Sequence, residues 1–309
     1  MKTRSLVNAA MMIAIYFVFF ILYFIGIFPE LLSFALPLPF IIFHLTHKKV
    51  SDLVWMFVGC LVGTYLIGSV FGLFTTLLYG LVGVVLAIGM CEGWPYWNRI
   101  LNAALIFVIV LPLSTKVLTG MNMSDMLIEM IQESIAIANG LVESLGQENV
   151  SSAVDLYNEL SESIPSIISM LMPTLLIFVG GVSAFISEKL GTVVLKRMNI
   201  AEIKSEPLSE FQLGTMPVVV LFICNLLAMF ISNESLQVVF INVMVLLNLL
   251  FLIQGFVLIY SFFKARSQKG LAIVIMVFAL LSNLSLIVSM LGMMDAVFNY
   301  RSRFALKSS

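Results

Sequence analysis

The sequence predicts an all-α protein, a polytopic membrane helix bundle of about 8–9 spans. Two observations carry that reading. Hydrophobic residues fill 61% of the 309 positions and charged residues only 11%, with a mean hydropathy of +1.10. A soluble domain carries roughly a quarter charged and about half apolar residues. The apolar residues also gather into runs close to the roughly 20 residues that a helix needs to cross a bilayer. A soluble globular enzyme and a disordered tail protein are thereby excluded. The net charge of −1 gives no basis for binding a polyanion, so nucleic acid is not an expected partner. The lipid bilayer is.

Taken in order, the first apolar run covers 6–28 and follows Lys2 and Arg4. It is too long for the apolar part of a cleaved signal and lacks a small-residue cleavage site before Pro29, so it is expected to stay as the first span. The second run, 31–46, is short and holds Pro37 and Pro39. Each proline removes an amide donor and opposes regular helix, which predicts a broken span. The third and fourth runs, 53–68 and 70–90, are split near Gly68 and Gly72. The fifth is 100–119, with Pro112 inside; then come 164–187, 215–232, 236–263 and 271–292. The domain organisation expected is spans one to five in 1–120, an insert at 121–163, spans six to nine in 164–292 and a basic tail at 293–309.

The insert is the one sizeable polar stretch. Asp125, Glu129, Glu133, Glu143, Glu148, Asp155, Glu159 and Glu162 lie in it, with no Lys or Arg. Leu127, Ile131, Ile135, Ala138, Leu141, Val142 and Leu145 recur at a helical period. A break at Gly146–Asn149 precedes a second helical piece with Val154, Tyr157 and Leu160. An amphipathic helical hairpin on the outer face is expected. It lacks the alternating acidic pattern of an EF-hand, so calcium is not implied.

Orientation follows Lys and Arg in short loops. With the N-terminus cytoplasmic, twelve basic residues fall inside: Lys2, Arg4, Lys48, Lys49, Arg99, Lys189, Lys196, Arg197, Lys204, Lys264, Arg266 and Lys269. Four fall outside: Lys116, Arg301, Arg303 and Lys307. Three of those four are the basic tail, which nine spans would place on the wrong side for this rule.

Other residue patterns have packing explanations. Cys60, Cys91 and Cys224 are far apart, without a CxxC, and are expected as small apolar residues. Gly59 with Gly63, the series Gly68, Gly72, Thr76 and Gly80, and Gly180 with Ala184 are spaced for close helix packing. His44 and His47 are expected at the membrane surface beside Lys48 and Lys49, without a metal. Asn102, Asn225, Asn242, Asn248, Gln254 and Asn283 are expected to bond between helices. No acid or base stands clearly at mid-span; Lys116 and Glu188 are close enough to span ends to snorkel. Neither a GK[ST] phosphate loop, an H-E-x-x-H nor a G-x-S-x-G is present, so neither enzymatic activity nor a cofactor is expected.

Ala10 and Ala14, at i,i+4 in the first span, resemble the alanine pair with which S components of energy-coupling-factor transporters pack on a membrane coupling subunit. Nearly the whole chain resembles the YybS-like family of bacterial membrane proteins. The matching stretches are Leu36-Pro37-Leu38-Pro39, Leu195-Lys196-Arg197, Pro207 with Phe211 and Pro217, and Asp295 to Arg303 with Phe298 and Arg301. The resemblance implies a first unit of six spans like the S-component fold, in a bacterial plasma membrane. It also implies a small-molecule ligand near the outer ends of spans one and two and the turn between spans three and four. Tyr23, Glu30, Tyr65, Thr75 and Tyr79 are the candidate ligand contacts there, beside the broken span at Pro37 and Pro39. Ala10 and Ala14 would face a coupling subunit, with ATP hydrolysis left to separate ATPases. The alternative expectation is an envelope scaffold or sensor that uses the acidic insert and transports nothing.

Overall fold

The computed structural model describes residues 3–144, 151–200, 211–282 and 284–301, with side chains over 5–138, 140, 163–200, 211–282 and 284–301. The break expected at Gly146–Asn149, Pro207, Asn283, Arg303 and the far half of the acidic insert's side chains lie outside them. Every described element is helical. The chain folds as two compact units, Met1–Ser205 and Glu206–Ser309.

In the first unit α1 (Thr3–Phe24) crosses once and turns back through Gly26 and Phe28, both at positive φ. The second span is broken as its prolines require, into α2 (Pro29–Ala35) and α3 (Leu38–His47). The Pro37 carbonyl between them accepts from Ile41 N–H at 3.3 Å. Gly83 of α5 (Leu81–Cys91) packs against that same carbonyl, so the interruption is sealed by a helix that has no side chain at the contact. Irregular backbone at membrane depth persists where protein covers it in this way.

α4 (Val50–Thr75) contains two residues outside the helical region, Gly68 and Ser69. The hydroxyls of Thr64 and Thr76 are 2.8 Å apart. Twelve residues of straight helix would hold them about 18 Å apart. The chain therefore reverses at Gly68–Ser69, and 50–91 is two antiparallel spans divided where the sequence predicts. A π-helical turn, Thr76–Gly80, leads into α5. α6 (Tyr96–Thr119), α7 (Met123–Ser144) and α8 (Ser151–Arg197) complete the unit. The stretch of α8 from Ser163 onward is long and apolar enough to cross a membrane. Tyr16, Phe20, Phe40, Phe43, Leu53, Met56 and Leu86 form the core of these six crossings. One end of the unit gathers the start of α1, the end of α3, the start of α4, the end of α5, the start of α6 and the end of α8.

The second unit holds α9 (Thr215–Ala228), α10 (Glu234–Ala265), α11 (Lys269–Leu281) and α12 (Ser285–Phe298). The single ninth span expected over 271–292 is corrected here: the helix stops at Leu281, with Ser282 extended, and a new one starts at Ser285. α12 packs lengthwise on α10. Ser289 donates to the Asn248 carbonyl, Gly292 abuts the Phe251 carbonyl and Gln254 donates to Asp295. Partner numbers rise together along both helices, so α10 and α12 run parallel. α11 must then run back between them. With 13 and 14 residues, α11 and α12 each rise about 20 Å, less than the roughly 30 Å of hydrocarbon.

This hairpin returns the chain to the side on which α10 ends. Arg301 therefore lies toward the end that carries Lys264, Arg266 and Lys269, the placement that an even span count gives; Arg303 and Lys307 lie outside the described residues.

Two measurements check this geometry. In a cysteine-free background, Ser267→Cys and a tag fused after residue 309 should be reached from the same side of the membrane, and a cysteine at Asn233 from the other. Opposite sides for the first two would make 269–298 one crossing. Gly292→Ala would press a methyl into the Phe251 carbonyl, a clash costing about 1–3 kcal/mol, and should lower Tm by several degrees. Gly270→Ala meets open space and should leave Tm unchanged or slightly raised.

Candidate functional site

The π-helical turn decides which side chains face the interior of the first unit. A π turn inserts one residue into the helical register and is frequent at functional sites. Here it directs two hydroxyl-bearing residues, Thr76 and Tyr79, toward α1. The Tyr16 hydroxyl donates to Thr76 Oγ1 at 3.0 Å, and Thr76 shares a 2.8 Å bond with Thr64, whose hydroxyl also donates to the Cys60 carbonyl. Tyr16, Thr64 and Thr76 are completely buried. Higher in the unit, the side chains of Tyr23 and Ser33 lie near that of Tyr79. The Tyr23 ring stands edge-on to Tyr79 at 5.9 Å and parallel to Phe71 at 6.4 Å, while Tyr79 meets Phe107 at 6.0 Å. Hydroxyls and aromatic faces from α1, α2, the hairpin and α6 thus converge in one place.

The sequence-predicted residues distribute as follows. Tyr23 and Tyr79 come together. Glu30 is exposed in the first turn of α2, close enough to act electrostatically on Tyr23, and its carbonyl accepts from Ser33. Thr75 is buried but donates to its own helix at Phe71. Tyr65 is half exposed on the outside of α4. Pro37 and Pro39 are buried at the helix interruption. Ala10 and Ala14 are exposed on α1, in line with Val7, Val18 and Ile21. Ser33, Tyr16, Thr64 and Thr76 had no signal of their own, because threonine and serine in apolar helices look the same whether they bond back to their own helix or across it.

Among the described residues Asp52, Arg99, Glu188 and Asp295 are buried charges, which the sequence did not announce. Glu188 does not snorkel: it is wholly buried and pairs with Arg99 at 2.8 Å. Lys189, its neighbour, lies 5.0 Å over the Tyr96 ring. In the second unit Asp295 is wholly buried, accepts from Gln254 at 2.9 Å and pairs with Arg301 at 2.8 Å. Gln254 in turn accepts from Leu213 N–H at 2.9 Å. His44 is buried rather than interfacial, because α3 turns its inner face to the core; His47 meets Asn8 and the Phe43 carbonyl. The expected interhelical amides are also corrected. Asn102, Asn225, Asn242 and Asn248 each donate to the carbonyl one turn back in their own helix, and Asn248 also accepts from Ser289 of α12. Gln254, with a longer reach, does cross. Cys60 and Cys224 are buried and Cys91 is partly so. Among the described residues no three His, Cys, Asp or Glu gather as a metal site.

Breaking a buried ion pair costs about 3–5 kcal/mol because one charge is left alone. Arg99→Met should therefore destabilise the purified protein strongly, and Arg99→Met with Glu188→Leu should recover much of the loss. A double variant no more stable than Arg99→Met would show that Glu188 is not left as an uncompensated buried charge when Arg99 is removed.

Compared with known proteins, the chain matches the model of a predicted membrane protein family, DUF2232, over residues 12–296. It is similar to the uncharacterized protein YybS of Bacillus subtilis (strain 168), with 23% identity over 312 residues, 98% of this chain and 99% of that protein. No solved structure matches. The broken second span, the buried Asp295–Arg301 pair and the helical pattern throughout are thus features of a multi-pass membrane protein that belongs to the DUF2232 family.

Proposed function

We propose that this membrane protein binds a small molecule in its first unit, in the manner of the substrate-binding component of an energy-coupling-factor transporter. The observation that carries this reading is the convergence of Tyr23, Tyr79 and Ser33 beside the rings of Phe71 and Phe107. Ligand sites are mostly apolar and aromatic, with a few placed polar groups. The hydroxyls would orient the ligand and the rings of Tyr23, Phe71 and Tyr79 would supply contact area. Glu30, at the rim, would favour a ligand with a positive or hydrogen-donating end.

The same reading gives α1 a second task. Its outward face is narrowed by Ala10 and Ala14, which would let a helix of a coupling subunit approach closely. Separate ATPases would supply the energy, and the protein itself would carry out no chemistry. The N-terminus would be cytoplasmic in a bacterial plasma membrane. Among described residues the N-terminal end of the first unit holds Lys48, Lys49, Arg99, Lys189, Lys196 and Arg197, and the other end holds Lys116. That bias supports this orientation.

The test is a mild-detergent pull-down of the tagged full chain from native membranes, with mass spectrometry for small molecules and proteins. A retained small molecule that is lost on Tyr79→Phe with Tyr23→Phe, in a protein of unchanged Tm, is the expected result. Leu at both Ala10 and Ala14 should abolish recovery of a coupling subunit while the ligand stays bound. Recovery of envelope proteins alone, with no small molecule and no ATPase, would overturn the proposal in favour of a scaffold role for the acidic insert.

A further inference from the structure

We infer that the α10–α11 connection binds the headgroups of anionic phospholipids. It presents Lys264, Arg266 and Lys269 within six positions, all three exposed. The loop is ordered by its own backbone. Arg266 N–H and Gln268 N–H both donate to the Phe263 carbonyl, and Ser267 N–H donates to that of Lys264, with Ser267 at φ 59°. The three cations are thus held together rather than spread along a flexible chain.

Two further facts set their depth and their charge. Phe262 and Phe263 pack edge to face at 5.3 Å on the last turn of α10, and the Arg266 guanidinium lies 3.9 Å over the Phe262 ring. Where a helix's apolar run gives way to exposed Lys and Arg, hydrocarbon meets headgroups, and a cation lying along an apolar ring keeps its charge at that level. Acidic residues do not offset the cations. Among the described residues of the second unit the acids are Glu234 and Asp295. Glu234 starts α10 at the opposite end, and Asp295 is buried against Arg301. The surface at this end is therefore cationic, borders the lipid and fits a phosphate-bearing headgroup whose acyl chains lie along α10 and α11. Lipid, rather than free phosphate, is the source favoured by that level.

Each basic residue near an anionic surface contributes roughly five-fold in affinity, so the three together should change lipid retention by ten-fold or more. The experiment uses the full chain in neutral detergent, titrated with phosphatidylglycerol or phosphatidylcholine and read by native mass spectrometry. The expected result is preferential retention of phosphatidylglycerol, lost at high salt and reduced at least ten-fold in the K264Q/R266Q/K269Q variant. The K116Q variant, which removes a cation of the first unit, should retain it as the natural chain does. Should the triple variant fail to fold, K264Q and K269Q singly should each reduce retention several-fold. Equal retention of the two lipids, or unchanged retention in folded glutamine variants, would overturn the inference. Displacement of the lipid by an equal concentration of inorganic phosphate would overturn the lipid as the occupant.

Discussion

Hydrocarbon offers no hydrogen-bond partner, and among the described residues most polar side chains buried within the spans find one inside the protein. That constraint organises both units. In the first, Arg99 and Glu188 join α6 to α8, and Ser5 donates to Asp52 at 2.6 Å to join α1 to α4. In the second, Gln254 stands at the centre of a relay from the Leu213 amide to Asp295 and on to Arg301. An unpaired ionised group at such depth costs several kcal/mol. The pairs therefore specify which helices meet and at what level, in a setting where apolar contacts alone distinguish little between one face and another.

Backbone obeys the same constraint. The interruption at Pro37 leaves a carbonyl beside the helical ladder that α5 covers, whereas the one at Gly68–Ser69 is an exposed turn between two spans. Glycines make that cover close: Gly72 sits against the Thr64 carbonyl inside the hairpin, and Gly180 against that of Ala104. The small-residue spacing visible in the sequence is accounted for by packing within the chain. At the π turn Thr76–Gly80 the ladder is altered and polar side chains gather at the same time.

Much of the fold is legible from hydropathy and proline alone, because a bilayer accepts few arrangements of a 61% hydrophobic chain. The break at Pro37 and the split near Gly68 follow from residues whose backbone chemistry is local. The reversal after Leu281 is different. Ser282 and Asn283 are too short a polar signal to divide an apolar run, and only the parallel packing of α12 on α10 reveals the turn. Glu188 was misplaced for a related reason. Its partner lies 89 positions earlier in the chain, and single-residue reading has no access to that distance. Of the candidate site, aromatic residues near span ends drew attention to Tyr23 and Tyr79. Ser33 and the Tyr16–Thr76–Thr64 chain depend on helix rotation and on the π turn, which the sequence does not announce.

The parallel pairing of α10 with α12 has a consequence for the order in which the chain enters the membrane. Gln254 precedes Asp295 by 41 positions. Between them α11 must be made, turned and laid back before α12 can approach. Gln254 therefore enters the lipid without its carboxylate and is carried there by the apolar residues around it. Insertion of α10 and completion of its polar contacts are separate events in time. The second unit reaches its final form by a late closure inside the bilayer, after its longest helix is already across.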